Sequence, residues 1–150
     1  MNVSDCMTRD VTIASPNDTI QQAAKQMAQI DAGILPVAEN DRLVGMITDR
    51  DITVRAVAEG KDPAQTRVRD VMTSEVRYVY DDDAIEDAAE SMSELQVRRL
   101  PVINRNKRLV GIISLADIAR EDEPRQSGEA LHGIARPGGQ HTQHQDGGSR

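Results

Sequence analysis

The chain is almost without aromatic side chains. Among its 150 residues there is no Phe and no Trp, and only two Tyr are present. A hydrophobic core must therefore consist mainly of Val, Ile, Leu, Met and Ala, within an apolar content of 38%. Aromatic platforms on which nucleic acid bases stack are nearly absent, which disfavours single-stranded nucleic acid as a partner.

Positive charge is also scarce. The chain has 18 Lys and Arg against 25 Asp and Glu, which gives a formal net charge of -7. Proteins that bind the phosphate backbone usually present a basic patch, and docking on an anionic membrane leaflet needs clustered basic residues. The charge balance therefore predicts neither a nucleic-acid partner nor a membrane partner.

Cys6 is the only cysteine, so no intramolecular disulfide can form and nothing demands an oxidising compartment. No run approaches the ~18 apolar residues of a spanning helix, and the N-terminus lacks the basic start and apolar run of a signal peptide. These features predict a cytoplasmic protein. We expect Cys6 to be a buried, inert thiol, with a redox switch through an intermolecular disulfide as the alternative.

Catalytic groupings are missing as well. The three histidines, His132, His141 and His144, all lie beyond residue 120, so the preceding sequence holds no Ser-His-Asp set and no Cys-His pair. His141-x-x-His144 has metal-like spacing, but two histidines in a polar tail make a weak site. The sequence predicts a protein that is not an enzyme, has no metal site and requires no cofactor.

What the chain does contain is one stretch that it uses twice. Residues 43–52 read LVGMITDRDI, and residues 109–118 read LVGIISLADI. Each is typical of a buried strand that turns into a helix. Each has a hydroxyl at the turn (Thr48 or Ser114) and an acid three residues later (Asp51 or Asp117). A small ligand, if one binds, is expected at this turn.

The sequence around this stretch repeats too. The helical spacing of apolar residues that begins at Ile20 recurs at Ile85, a shift of 65 residues, and Leu35-Pro36-Val37 recurs as Leu100-Pro101-Val102. After residues 104–108, which carry one extra residue, the shift becomes 66. Such a repeat indicates two copies of one supersecondary unit. A copy of roughly 55 residues is too small to bury a good core alone, so we expect the copies to pack together about a pseudo-two-fold axis.

Within the first copy, the pattern predicts a strand, a helix, two strands and a second helix. Asn17 or Asp18 is expected to cap the first helix, Pro36 to mark a strand edge or end, and Gly60 to follow the second helix. The predicted strands cover residues 11–14, 34–37 and 43–47, and the predicted helices cover 20–30 and 49–59.

The repeat also predicts how the chain divides. The first copy covers residues 1–60, a linker covers 61–69, and the second copy covers 70–120. Residues 121–150 contain few apolar side chains, and such a segment cannot offset its ordering entropy by burial. We therefore predict a disordered tail, with a brief helix at 129–135 as the alternative.

This β-α-β-β-α unit resembles a CBS domain, because it has Leu-Pro-Val on its second strand and Gly-x-x-Thr/Ser-x-x-Asp at its last strand–helix junction. Two in tandem resemble a CBS pair, or Bateman module, over about residues 3–120. The phrase Thr48-Asp49-Arg50-Asp51-Ile52 is similar to small stand-alone bacterial CBS proteins, including those of the hypoxic-response type. The resemblance implies an α/β (α+β) fold of two pseudo-symmetric repeats packed through their sheets, and the disordered C-terminal tail predicted from composition lies outside it.

In that family, the pair encloses a cleft with two related sites for adenosine-containing ligands such as AMP, ADP, ATP, S-adenosylmethionine or NAD. The resemblance implies that Asp51 and Asp117 bind ribose, and that Thr48 and Ser114 contact ribose or the first phosphate. The residues that match the adenine-flanking strands are Thr12, Ile13, Ala14, Leu35 and Pro36 in one copy and Arg77, Tyr78, Val79, Leu100 and Pro101 in the other.

The chemistry of these residue types fits that use. A carboxylate only accepts hydrogen bonds and can hold two ribose hydroxyls, a helix start offers N–H groups to phosphate, and short strands can form an apolar slot for adenine. The alternative interpretation is that Thr48-x-x-Asp51 and Ser114-x-x-Asp117 are capping boxes only. The two roles can coexist.

The two sites are expected to differ in charge. Arg50, beside the first hydroxyl, is a candidate phosphate clamp or a solvated first-turn residue, and its counterpart is Ala116. Arg98 and Arg99 lie where the first copy has Gly33-Ile34.

These expectations combine into a non-catalytic regulatory module for energy sensing, whose ligand stiffens a cleft and shifts a population. The signal is expected to pass to an unknown protein effector or through a homodimer. The alternative function is a structural dimerisation or interaction module with vestigial ligand sites.

Overall fold

The computed structural model describes residues 1–121 and 124–135. Two compact units are present. The first-copy unit comprises Asp10–Arg77 and Arg105–Leu109, and the second-copy unit comprises Met1–Arg9, Tyr78–Asn104 and the chain from Val110 onward. The helices are α1 (Val3–Cys6), α2 (Ile20–Ile30), α3 (Asp49–Ile52), α4 (Val68–Val71), α5 (Ile85–Leu95), α6 (Leu115–Arg120) and α7 (Pro124–Ile134), and the strands are β1 (Ile34–Glu39), β2 (Arg42–Thr48), β3 (Val79–Tyr80), β4 (Arg99–Ile103) and β5 (Leu109–Ser114).

A hairpin forms the sheet of the first-copy unit. β1 and β2 pair antiparallel from Ile34–Thr48 to Glu39–Arg42. The two residues between the strands, Asn40 and Asp41, have φ of 53° and 64°, which is the backbone of a type I′ turn. This register brings Thr48, the last residue of β2, beside the start of β1.

The first long helix, α2, matches its predicted range. Ile20, Ala23 and Met27 are buried on one face, as the helical spacing predicts. The predicted cap at Asn17 or Asp18 is wrong, because Thr19 is the N-cap and accepts a hydrogen bond from the Gln22 N–H at 3.2 Å. Asp18 is used one turn earlier, where its carboxylate accepts from the Ser15 N–H at 2.9 Å.

The sheet of β1 has two strands, β1 and β2, so the predicted position of Pro36 in an edge strand is confirmed. Pro36 lies inside β1 and not at its end. Its antiparallel partner is Met46, whose N–H and C=O both bond to Thr73, at 2.9 and 2.8 Å. The ladder therefore needs no N–H from Pro36 on that side. On its other side Pro36 only accepts, from the Ala14 N–H at 2.9 Å.

The strand predicted at residues 11–14 is reduced to one parallel bridge between Ala14 and Val37. In the second-copy unit the equivalent strand is regular but short, and Val79 pairs parallel with Val102 on β4. The strands of this unit form a sheet in the order β3-β4-β5. The buried cluster of the unit contains Val3, Cys6, Val79, Ile85, Ala88, Ala89, Met92, Leu100, Val102, Ile113, Ile118 and Ala130.

The helix predicted at residues 49–59 is not uniform. α3 continues into a π-helical turn, Thr53–Val57. The Thr53 hydroxyl donates to the Asp49 C=O at 2.9 Å, and such bonding back to the preceding turn disturbs a regular helix. Gly60 follows with φ of 69°, the left-handed conformation expected of a residue that ends a helix.

The opening segment of each copy packs with the other copy. α1 belongs to the second-copy unit, where Val3 is fully buried and its N–H donates to the Asp83 C=O at 2.8 Å. The chain then pairs with β5, since Thr8 and Ile112 exchange backbone bonds of 2.8 and 2.9 Å. α4 takes the equivalent place in the first-copy unit, with Val68 fully buried.

A glycine in each repeated stretch permits this pairing. A Cβ on Gly111 would lie 2.7 Å from Met7 Sδ and 2.8 Å from the Thr8 C=O oxygen, and a Cβ on Gly45 would lie 2.7 Å from Met72 Sδ. The backbone carbonyl cannot move away as a side-chain end can. Glycine is therefore required here for close approach of the chain.

The predicted disorder of the tail is wrong for Pro124–Ile134, which forms α7. Ala130 on α7 is fully buried, and the Gln96 side chain donates to the Gly133 C=O at 2.9 Å. Small residues let α7 pack closely on α5, so the helix orders without many large apolar side chains. The alternative helix at 129–135 is confirmed in place, although it begins earlier; residues 136–150 lie outside the described residues.

Helices long and apolar enough to cross a membrane are absent from the described part of the chain.

We predict that the opening segment of each sequence copy stabilises the unit formed mainly by the other copy. Val3→Ala should destabilise the protein by about 2 kcal/mol, because it leaves a cavity in a buried cluster. Hydrogen–deuterium exchange should rise first in residues 78–120. The matched variant Val68→Ala should instead raise exchange in residues 10–57. If Val3→Ala instead increased hydrogen–deuterium exchange in residues 10–57, this would contradict the packing of the first opening segment with the second copy.

Candidate functional site

The repeated stretches place a hydroxyl and an acid at equivalent strand–helix junctions. β2 ends at Thr48 and β5 ends at Ser114, and both residues have φ of -119° and ψ of 162°. The extended backbone stops each strand and starts the next helix at the same residue. Asp51 and Asp117 follow in the first turn of α3 and α6.

Both junctions are complete capping boxes, as the alternative interpretation predicts. In the first, the Thr48 N–H donates to Asp51 Oδ2 at 3.0 Å, and the Asp51 N–H donates to Thr48 Oγ1 at 3.0 Å. In the second, the Ser114 N–H donates to Asp117 Oδ2 at 2.9 Å, and the Asp117 N–H donates to Ser114 Oγ at 3.1 Å. One carboxylate oxygen of each acid is therefore bound to the main chain, and the other oxygen determines what else the acid can hold.

The second oxygens have different surroundings. Asp51 Oδ1 lies 4.0 Å from Arg55 Nε, and its side chain is 14% exposed. Asp117 Oδ1 accepts from the guanidinium of Arg120, and its side chain is 5% exposed. Asp51 therefore keeps an oxygen able to accept from a ligand hydroxyl, whereas Asp117 must first exchange its bond to Arg120.

The two arginines also differ in how they are held. Arg55 donates to the backbone carbonyls of Val71 and Met72, at 3.4 and 3.2 Å. The Arg120 side chain is 70% exposed, so it can turn away from Asp117. Neither arginine was selected by the sequence analysis, although their spacing from the acids, four and three residues, is that of helical ion pairs.

The adenine-flanking candidates of the first copy are mostly core residues. Leu35 and Ala14 are fully buried, and Pro36 is buried as well. The N–H and C=O of Ala14 are both engaged in the bridge, with the Pro36 carbonyl and the Ala38 N–H. Thr12 is half-buried, and Ile13 is exposed.

The candidates of the second copy follow the same division. Val79, Leu100 and Pro101 are buried, whereas Tyr78 is exposed and packs edge-on against Tyr80, with ring centroids 5.6 Å apart. Tyr78 is therefore an aromatic side chain that remains partly accessible at the surface of its unit. Arg77 is exposed and belongs to the first-copy unit.

A cavity of about 490 Å³ opens beside the second junction. Ser114 lines it, together with Arg98 and Arg99 from the start of β4. The Arg98 C=O accepts from the Leu115 N–H at 2.9 Å, which ties this segment to the first residue of α6. The cavity is lined by Arg98, Arg99, Ser114, Leu115, Ala116, Ala119, Gly128 and Leu131.

The first junction repeats the backbone contact without the charge. The Asp49 N–H donates to the Gly33 C=O at 2.9 Å, in the manner of Leu115 and Arg98. Gly33 and Ile34 replace the two arginines there. The cations at this junction are Arg50, which is exposed on α3, and Arg55, whose Nε lies 4.0 Å from Asp51 Oδ1. The expected charge difference between the two junctions therefore has a structural basis.

Cys6 lies in the buried cluster of the second-copy unit. Burial raises the pKa of the Cys6 thiol, and the negative charges of Asp117, Glu121 and Asp5 raise it further. A thiol held in its protonated form is a poor nucleophile. This environment supports the prediction of an inert structural cysteine.

Among residues 1–121 and 124–135, no group of three or more His, Cys, Asp or Glu is placed to hold a metal ion. His132 is exposed on α7. His141 and His144 lie outside the described residues.

The chain belongs to the CBS-domain family. The family model for the CBS domain matches residues 3–57 and 68–123, which confirms the predicted resemblance to a tandem pair. The chain is 44% identical over 135 residues to CBS domain-containing protein YhcV of Bacillus subtilis, covering 89% of this chain and 95% of that protein. It is 41% identical over 117 residues to Hypoxic response protein 1 of Mycobacterium tuberculosis, covering 77% of this chain and 81% of that protein.

Solved structures give the same fold. Hypoxic Response Protein I with two coordinated zinc ions has a TM-score of 0.73 at 39% identity, covering 81% of this chain and 98% of that chain. The CBS domain pair of MJ0100 with 5-methylthioadenosine and S-adenosyl-L-methionine has a TM-score of 0.70 at 28% identity, covering 83% and 98%. CBSX2 with AMP has a TM-score of 0.70 at 26% identity, covering 80% and 94%.

We predict that Cys6 makes the protein less stable in alkali. The folded chain holds the thiol proton above the ordinary thiol pKa of about 8.5, where the unfolded chain releases it, so the free energy of unfolding should fall as pH rises through this range. Urea unfolding between pH 7 and pH 10 should show a steeper loss for the natural protein than for Cys6→Ala. Equal slopes would contradict the raised pKa.

Proposed function

We propose that the protein is a non-catalytic regulatory module that binds an adenosine-containing ligand at its strand–helix junctions. The observation that carries this proposal is the capping-box aspartate. One oxygen of Asp51 fixes the main chain, and the other is without a close hydrogen-bond donor among the described residues. A ribose diol can donate to such an oxygen, since a carboxylate accepts without competing donors.

The family supports an adenosine ligand. Two CBS pairs of the same fold are known with such molecules, MJ0100 with 5-methylthioadenosine and S-adenosyl-L-methionine and CBSX2 with AMP. These ligands share the adenosine group and differ in whether they carry phosphate. We therefore take adenosine as the common element and assign phosphate preference from the charges in this chain.

The charges favour a phosphorylated ligand at the second junction. Arg98 and Arg99 line the cavity beside Ser114, and guanidinium groups bind phosphate well. The first junction has Arg50 on an exposed helix turn and Arg55, which is held by the Val71 and Met72 carbonyls, so we expect it to depend less on a phosphate. Ligand binding would then favour one conformation over another, and the signal would pass to a protein effector or through a homodimer.

A second candidate function is dimerisation without a ligand. Ile30, Val54 and Val57 are exposed large apolar side chains of the first-copy unit. Exposed apolar residues gathered on helices are typical of interaction surfaces. In this interpretation the capping boxes stabilise the fold only.

We predict that AMP, ADP, ATP, S-adenosylmethionine or NAD stabilises the protein. A ligand at ~100 times its dissociation constant adds about 2.7 kcal/mol to the free energy of unfolding, which thermal unfolding detects. Asp51→Asn should reduce this shift, because Asn keeps a cap acceptor and loses the second one. Asp117→Asn tests the second junction in the same way.

The controls remove a charge nearby without touching the junctions. Glu59→Gln and Glu121→Gln change the net charge equally, and both positions are exposed, so the ligand shift should remain. No shift with any ligand, combined with a dimer that Val57→Lys dissociates in light scattering, would favour the second candidate function.

A further inference from the structure

α7 forms one wall of the cavity beside the second junction. Gly128 and Leu131 line the cavity together with Ser114. The helix lies beyond the matched range of the second CBS domain, which ends at residue 123. It therefore adds to the junction of one copy a surface that the repeat itself does not contain.

α7 is held by close contacts of small residues. A Cβ on Gly133 would lie 1.9 Å from Ser93 Oγ and 2.9 Å from Ser93 Cα, so only glycine lets the two helices approach this closely. Ala130 is fully buried, whereas Leu131 is 47% exposed. Among residues 128–135 the buried positions are the small residues Ala130 and Gly133, so this part of α7 buries little apolar area and its docking can be changed by a bound ligand.

The face of α7 toward the cavity has room. A Cβ on Gly128 would meet no atom within 4 Å, so this glycine is not required by packing. The lining includes the apolar side chains of Leu115, Ala119 and Leu131 as well as the cations Arg98 and Arg99. A cavity lined by both cations and apolar groups fits a molecule with a phosphate and a flat, weakly polar ring.

We propose that α7 is a removable wall of this site, and that docking of α7 and binding of an adenosine phosphate stabilise each other. The inference rests on the proposed function for the kind of ligand and adds its regulation. A ligand that contacts Leu131 binds more tightly when α7 is docked. By linkage, the same ligand holds α7 in place by an equal free energy, so the helix can report occupancy to a partner.

The test uses the full chain carrying Asp51→Asn, in which only the second junction keeps its acid. AMP and ATP are titrated by calorimetry. Gly133→Val should displace α7 by collision with Ser93, and Gly128→Leu should fill the cavity while α7 stays docked. Each should weaken binding by about tenfold or more, within the usual range of coupling between sites. Gly128→Ala, which adds a methyl group in open space, is the matched control and should bind nearly as the parent does.

A second measurement reports on the helix itself. Hydrogen–deuterium exchange of residues 128–134 should slow when AMP or ATP is added to the parent, and should be fast with or without nucleotide in Gly133→Val. Binding that is unchanged or tighter in Gly133→Val would overturn the proposal, as would nucleotide binding without protection of α7.

The failures of the two proposals are distinguishable. Nucleotide binding by the natural chain but none by the Asp51→Asn parent overturns the inference about α7 and leaves the proposed function standing. No binding of any adenosine ligand to the natural chain overturns both.

Discussion

The reciprocal hydrogen bonds between a hydroxyl at a strand end and a carboxylate in the following helical turn are the constraint on which the candidate sites depend. They hold Thr48 and Asp51, and equally Ser114 and Asp117, in one geometry. They satisfy the N–H groups that a helix start leaves free. They use one oxygen of each acid for the main chain and leave the other oxygen for side chains or a ligand. Capping and ligand binding are thus compatible uses of one side chain.

The two junctions show how a duplicated unit can diverge while its backbone stays the same. Thr48 and Ser114 have identical backbone angles, so the differences come from the side chains around them. At the first, Arg55 is tied to the backbone of the α4 segment and lies 4.0 Å from its acid. At the second, Arg120 binds its acid directly and is itself largely exposed. Asp51 therefore keeps one carboxylate oxygen able to accept a hydrogen bond, whereas the corresponding oxygen of Asp117 is bound by Arg120, an exposed side chain that can turn away.

The sequence predicts the local structure well because helices and capping boxes depend on the spacing of residue types along the chain. The apolar period gives α2 its full range, and the hydroxyl and acid three residues apart give both capping boxes. The cap of α2 was misplaced because Asp18 and Thr19 are both good cap residues. Only the competing turn at Ser15, which uses the Asp18 carboxylate, decides between them.

Long-range packing cannot be predicted from the sequence in the same way. The opening segments of the two copies have similar sequences, so nothing local says that Val3 packs with the second copy and Val68 with the first. The sequence does not predict the helix at residues 124–134 for a related reason. Burial by Ala130 and Gly133 depends on closeness to α5, and composition measures apolar content without measuring how near two helices can come.

These two unpredicted features lie in the same unit, and their positions are connected. The second junction has α1 packed into its core through Val3 and Cys6, and α7 along its open side. Burial raises the pKa of the Cys6 thiol, and the negative charge of Asp117 raises it further, so the acid of this junction acts electrostatically on a residue of α1. α1 and α7, one near each end of the described chain, therefore both pack in the unit that holds the junction whose acid is paired with Arg120.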